Sequence, residues 1–328
     1  MNPLRTTLQP GVSKHTFSLR SSVLTAGSCF AEAIGARLHA HKIPTLINPF
    51  GVIYNPHSIH KSIKYALFNE GVQELTFLEA DGLHLSYDFH SSVFGRDQTE
   101  LRRKITDITG AAHHFIKDAN VILLTYGTAW VYERNDTGEI VANCHKVPPK
   151  EFTKTLLSQK QIISSFQLVH NDLKRINPDC RVILTVSPVR HVRDTLEGNS
   201  VSKAILRAAC ETLSRTGMDV EYFPAFEIMI DDLRDYRFYK RDMIHPTEEA
   251  EDYIWDHFVA RYFDDETKDF FARWSSLRAA LAQRPFHPQS GSHQAFLRET
   301  LAKLEAFQSF VNVDKEIDVI RKQLVKEV

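Results

Sequence analysis

Short, almost wholly apolar runs alternate along the chain with longer stretches whose apolar residues recur every three or four positions. Val23 to Ala26 reads as a short buried strand, followed by an amphipathic helix from Phe30 to His41. Residues 44–50 offer a second short extended run. HSIHKSIKYALF, from His57, and LRRKITDITGAAHHFIKDA, from Leu101, carry helical spacing. VILLTY (121–126), RVILTVS (181–187) and DVEYF (219–223) have strand character, with helices predicted near 153–175 and 196–216 between them. From 129 to 145, AWVYERNDTGEIVANCH alternates apolar and polar residues around Asp136-Thr137-Gly138, the pattern of a β-hairpin.

Apolar strands separated by helices predict a parallel sheet covered on both faces. The expected fold is therefore α/β, a three-layer, doubly wound, flavodoxin-like sheet over residues 1–263. Residues 264–328 form a C-terminal helical extension with three helical patterns, the first two separated by RPFHPQSGS. The apolar spacing of these helices suits packing on the main domain or on a second subunit, as in a homodimer.

Composition narrows the function classes. Of 328 residues, 43% are hydrophobic and 25% charged, as in soluble globular proteins. Forty basic against forty-one acidic residues give a formal charge of −1, which argues against nucleic acid as the main partner. No apolar stretch approaches the roughly 18 residues of a membrane span, and the N-terminus lacks the apolar core of a signal peptide. Cys29, Cys144, Cys180 and Cys210 are scattered without a CxxC pair, so free thiols and a cytoplasmic location are expected. The sixteen histidines form no HxH or HExxH pairing, and neither GxGxxG nor GxxxxGK[ST] occurs. No metal and no cofactor is expected.

In a doubly wound sheet, ligands bind beyond the carboxyl ends of the strands. Ser28 follows the first strand and opens the first helix, where a hydroxyl can serve as a nucleophile or as a helix cap. Asp242-Met243-Ile244-His245-Pro246 lies on a loop entering another helix. An Asp three residues before a His lets the carboxylate hold the imidazole in one tautomer, leaving the outer nitrogen to take a proton. The order Ser…Asp…His makes a candidate triad. Arg190 and His191 in SPVRH follow a strand at the same sheet edge. Arg190 suits either a substrate anion or a structural acid. His90 and His145 suit either a cleft wall or loop hydrogen bonds. Cys29 reads as a small packing residue.

GSCFA (27–31), NPFGVIYNP (48–56), YGTAWVY (126–132), NCHKVP (143–148) and SPVRH (187–191) together resemble the GSCFA-domain family. That family is grouped by fold with the SGNH, or GDSL-like, hydrolases. The resemblance implies Ser28 as nucleophile, His245 as base and Asp242 as its orienting acid. It further implies an oxyanion hole containing the N–H groups of Ser28 and Gly51. The third SGNH block is normally Gly-x-Asn, but Gly127-Thr128-Ala129 lacks the asparagine, so Thr128, Asn143 or His145 stands as its substitute. The implied substrate is a small-molecule acyl ester, such as an O-acetylated carbohydrate, cleaved through an acyl-enzyme. An O-acyltransferase and a catalytically weak binding module are the alternatives. Gly127, His145, Arg190, His191 and His90 are the expected substrate contacts.

Overall fold

The computed structural model describes residues 6–9, 11–69, 75–283 and 285–325. Five strands form a parallel sheet: β1 (Val23–Gly27), β2 (Thr45–Ile47), β5 (Val121–Tyr126), β9 (Arg181–Val186) and β10 (Val220–Phe223). Their spatial order is β10-β9-β5-β1-β2. In terms of these five strands the order is 2-1-3-4-5, the flavodoxin-like arrangement, and its switch point lies between β1 and β5. The register is continuous, with Gly27 opposite Thr125 and Thr125 opposite Thr185.

Both faces of the sheet are covered, which is why β1 and β5 are buried at every position. One apolar layer is built from α2 (Pro56–Phe68), α3 (Gln98–Asp118), α4 (Gln159–Ile176) and α5 (Thr195–Ser214). On the opposite face lie α1 (Cys29–Ala40), the short α6 (Ala225–Glu227) with its π-helical continuation to Leu233, and α7 (Glu248–Tyr262). Three further helices, α8 (Asp265–Leu281), α9 (Gly291–Phe307) and α10 (Asp314–Gln323), share that second layer's apolar cluster. Trp274 on α8 donates to the Ala40 carbonyl at 2.8 Å, and Lys42 pairs with Glu316 on α10 at 2.6 Å. The C-terminal helices thus pack on the main domain.

Two small antiparallel sheets flank the main one. The expected hairpin is β6 (Trp130–Arg134) with β7 (Ile140–Val141), but β6 also pairs with β8 (Phe152–Leu156). Residues 153–156 therefore correct the helix expected from 153. Ser158 starts α4 later, through a reciprocal capping box with Gln161. The hairpin β3 (Phe77–Ala80) and β4 (Leu83–Ser86) was not expected, although its Asp81-Gly82 turn is a recognisable signal.

Candidate active site

The β1–α1 turn is built around a close backbone approach. Gly27 has φ of +136°, and a Cβ there would lie 2.1 Å from the Thr125 carbonyl oxygen. Only glycine lets β1 end against β5 in this way. The side chain of Asn48 holds the turn from below, accepting from the Gly27 N–H at 2.8 Å and donating to the Gly27 carbonyl at 3.2 Å. Ser28 then donates its N–H to the Thr125 carbonyl at 3.1 Å. Its hydroxyl accepts from the Phe30 N–H at 3.3 Å and caps α1. The Ser28 side chain is 0% exposed. Ser28 is thus a buried residue whose hydroxyl caps α1. Cys29, the first residue of α1, is a free, half-buried thiol.

Asp242 and His245 come together as expected. Asp242 Oδ1 accepts from the N–H groups of Ile244 (2.9 Å) and His245 (3.0 Å), and its Oδ2 accepts from His245 Nδ1 at 2.7 Å. The imidazole bond, followed by the two backbone N–H bonds, holds the carboxyl well below the usual carboxylate range. An ionised carboxylate only accepts, so Nδ1 carries the proton and Nε2 is left as the basic nitrogen. The side chains of Asp242 and His245 are 45% and 42% exposed. Met243 between them takes a left-handed conformation, with φ of +58°.

The loop after β9 meets this one, since Arg190 donates its N–H to the Ile244 carbonyl at 3.3 Å. The Arg190 guanidinium lies over the rings of Tyr239 (4.0 Å) and Tyr236 (5.2 Å). His191 packs edge-on against Tyr54, with ring centroids 5.0 Å apart. Its Nε2 is buried without a hydrogen-bond partner and lies 3.1 Å from where a Cβ on Gly127 would stand. Burial, helped by Lys203 and His245, pushes its pKa down to about 3, so the ring is neutral.

The expected oxyanion residues have hydrogen-bond partners within the chain. Besides Ser28, the Gly51 N–H closes a turn onto the Asn48 carbonyl at 2.8 Å. Thr128 Oγ1 pairs with Ser202 Oγ at 3.0 Å and accepts from the Trp130 N–H, while its own N–H donates to the Tyr54 carbonyl. The Asn143 amide donates to Ser91 Oγ at 3.2 Å and accepts from the His145 N–H at 2.8 Å. His145 is buried between the Ser86 carbonyl and Ser91 Oγ, and burial lowers its pKa. The Gly127 N–H donates to the Tyr54 carbonyl at 2.8 Å. His90, Thr128, Asn143, His145 and His191 do share a cavity of about 540 Å³, together with Tyr54, Trp130 and Arg193.

Lys203 on α5 escaped the sequence reading. It is 1% exposed, and its ammonium donates to the Gly127 and Ser187 carbonyls, each at 2.7 Å. It thereby ties together the ends of β5 and β9. Burial lowers its pKa to about 7, with a smaller opposing influence from the nearby Cys29. The signal was present, for Lys203 falls on the same helical face as Leu206, Ala209, Cys210 and Leu213. Among the described residues, no three His, Cys, Asp or Glu side chains group as metal ligands, and no helix is long and apolar enough to cross a membrane.

The model of the GSCFA family matches residues 22–258, and that of the GSCFA domain protein, C-terminal domain, matches residues 274–326. No curated protein matches the chain. Among solved structures, similarity is found to a carbohydrate esterase family 3 protein from Talaromyces cellulolyticus, at 8% identity and a TM-score of 0.34, covering 73% of this chain and 94% of that one. A family two carbohydrate esterase from Clostridium thermocellum is 12% identical at a TM-score of 0.32, covering 80% and 66%. An acetyl xylan esterase from the rumen bacterium Butyrivibrio proteoclasticus is 11% identical at 0.32, covering 77% and 64%. At these scores the likeness says nothing about activity.

Proposed function

The chain belongs to the GSCFA family, and from that membership we propose that it is an acyl-transfer enzyme that hydrolyses small acyl esters through a covalent intermediate. The observation that carries this reading is the Asp242–His245 pair, whose 2.7 Å bond fixes the tautomer that leaves Nε2 as a base. A nucleophile on the β1–α1 turn attacks the ester carbonyl while His245 takes its proton. Asp242 stabilises the imidazolium, which then protonates the departing alcohol. Water, activated by the same imidazole, releases the acid and restores the nucleophile.

The neighbouring cavity suits the alcohol portion of the substrate. Tyr54, Trp130 and Tyr132 supply flat apolar surface, and His90, Asn143 and Arg193 supply polar edges. That combination fits an O-acylated carbohydrate. Were an acceptor hydroxyl to replace water, the same residues would carry an O-acyltransferase. The four free cysteines suit a reducing cytoplasm.

One observation favours a second reading, that of a ligand-binding module: each of the expected oxyanion residues already has a hydrogen-bond partner within the chain. Loss of one such donor typically costs ~10²–10³ in turnover. Hydrolysis of a panel of p-nitrophenyl and sugar acyl esters by the wild type and by His245→Ala separates the two. Turnover that collapses in the variant supports the enzyme. Saturable binding without turnover, unchanged by the substitution, supports the module.

A further inference from the structure

We infer that the cavity lined by Tyr54, Trp130 and His191 selects an ester whose alcohol portion carries a negative charge, such as an acylated uronic acid or an acylated sugar phosphate. The inference deepens the acyl-transfer reading above, on which the naming of the occupant as an ester rests. It starts from the charges along the cavity wall. Among the described residues, Lys146, Arg193 and Asp194 are the charged side chains that line it. The single carboxylate is already neutralised, because Asp194 Oδ1 accepts from Lys154 Nζ at 2.5 Å and the Asp194 side chain is only 9% exposed. Lys154 also lies over the Trp130 ring, 4.7 Å from its centroid, so a third cation stands against the same wall. Lys146 and Arg193 are exposed and have no ion-pair partner among the described residues. Three cations against one carboxylate leave the wall at +2, in a chain whose formal charge is −1.

The wall is also preorganised. His145 and Lys146 are consecutive non-glycine residues in the left-handed region, with φ of +49° and +61°. Such conformations are strained and persist only where the surroundings over-determine them. Here the His145 N–H donates to Asn143 Oδ1 at 2.8 Å, and its ring lies 2.7 Å from the Ser86 carbonyl and 3.1 Å from Ser91 Oγ. The Val147 N–H closes the loop onto the Cys144 carbonyl at 2.9 Å. The Lys146 backbone is thereby fixed at the cavity edge. Across from this loop, the His191 N–H donates to Asn199 Oδ1 at 2.9 Å and anchors the short 3₁₀ turn Val192–Asp194 that carries Arg193. The charge of Arg193 reaches the Tyr54 hydroxyl, so cation and aromatic surface meet in one place. His191 joins the cavity to the base, since it lines the wall and the charge of His245 reaches its ring.

At about 540 Å³ the cavity has the size of a small-molecule site. Exposed Tyr54 and Tyr132 give it flat apolar surface, as a sugar ring requires. A neutral sugar would leave the ammonium and guanidinium groups to water. A carboxylate or phosphate on that sugar accepts charge-assisted hydrogen bonds from them, two in parallel from the arginine.

Isothermal titration calorimetry at low ionic strength tests the assignment, with methyl glucuronide, glucose 6-phosphate and neutral methyl glucoside as probes. The proteins are the wild type, Lys146→Gln, Arg193→Gln and the double variant; both side chains are exposed, so folding is expected to be unchanged by circular dichroism. At least one anionic sugar should bind the wild type about tenfold or more tightly than methyl glucoside. That preference should shrink in each single variant, vanish in the double variant, and weaken as salt is added. Preference for the glucuronide alone identifies a carboxylate, for glucose 6-phosphate alone a phosphate, and for both an anion of either kind. Equal binding of charged and neutral sugars, a preference that survives the double substitution, or no binding of any of the three overturns the assignment. Acetyl esters of the same sugars separate this from the reaction. Anion-selective binding with no acetate released from acetylated methyl glucuronide sinks the acyl-transfer reading and leaves the anion site standing. Acetate released equally well from charged and neutral esters does the reverse.

Discussion

His60 provides a quantitative check on the packing between α2, β5 and α4. It is 3% exposed, with Nδ1 2.5 Å from Ser165 Oγ and Nε2 2.6 Å from the Tyr126 hydroxyl. Its ring packs edge-on against Tyr126 and Phe166, 5.6 and 5.7 Å away. Burial, with a smaller push from His57, lowers its pKa from 6.5 to about 3. The folded protein therefore refuses a proton that the unfolded chain accepts below pH 6.5, so this site's contribution to stability is lost as the pH falls from about 6.5 towards 3. Each unit in that window is worth about 1.4 kcal/mol, which gives about 2 kcal/mol between pH 7.5 and pH 5. Other buried histidines add to the wild-type slope, so the informative quantity is a difference. Urea unfolding followed by circular dichroism, on the wild type and His60→Gln at both pH values, isolates it. The wild type is expected to lose about 2 kcal/mol more than the variant on acidification. Equal losses in the two proteins would mean that His60 is not held neutral, and would refute the reasoning.

Three substitutions extend the account. Gly27→Ala places a methyl 2.1 Å from the Thr125 carbonyl, so a loss of at least roughly 3 kcal/mol in denaturant unfolding is expected; a loss below about 1 kcal/mol would contradict the described turn. Lys203→Met leaves the Gly127 and Ser187 carbonyls unpaired, at about 1–3 kcal/mol each at neutral pH. Because the folded pKa of Lys203 is about 7 and its unfolded value 10.5, unfolding takes up a proton in that window. Wild-type stability should therefore gain on the variant between pH 7 and pH 10 in the same assay, and parallel curves would contradict this. Asp242→Asn removes the partner of His245 at an exposed position, so thermal unfolding should hardly move while ester turnover falls by roughly 10²–10⁴; unchanged turnover would count against the pair's role.

What could be read from the sequence was local or periodic. β1, β5 and β9 are almost wholly apolar because both faces of the sheet are covered. Asp242 and His245 fall within one turn, so their bond needs only local backbone geometry. The partners of three oxyanion candidates were not legible, because they come from distant segments: Thr125 for Ser28, Ser202 for Thr128, Ser91 for Asn143. The close approach of Gly27 to Thr125, a contact about a hundred residues away in the chain, was equally out of reach of local reading. Lys203 lay on a buried helical face, but lysine so rarely goes inside that its type masked its position. At β8 the β-branched pair Thr153 and Thr155 already argued for a strand, and the helical spacing of the following segment obscured it.

The central claim is that the cleft at the ends of β1 and β5 carries out covalent acyl transfer with His245 as its base. Rapid mixing with p-nitrophenyl acetate tests this most directly, by following p-nitrophenol release in the first turnover. The account predicts a burst matching the protein concentration, followed by slower steady release, with both phases abolished in His245→Ala. Linear release at the same rate in the wild type and the variant would contradict it.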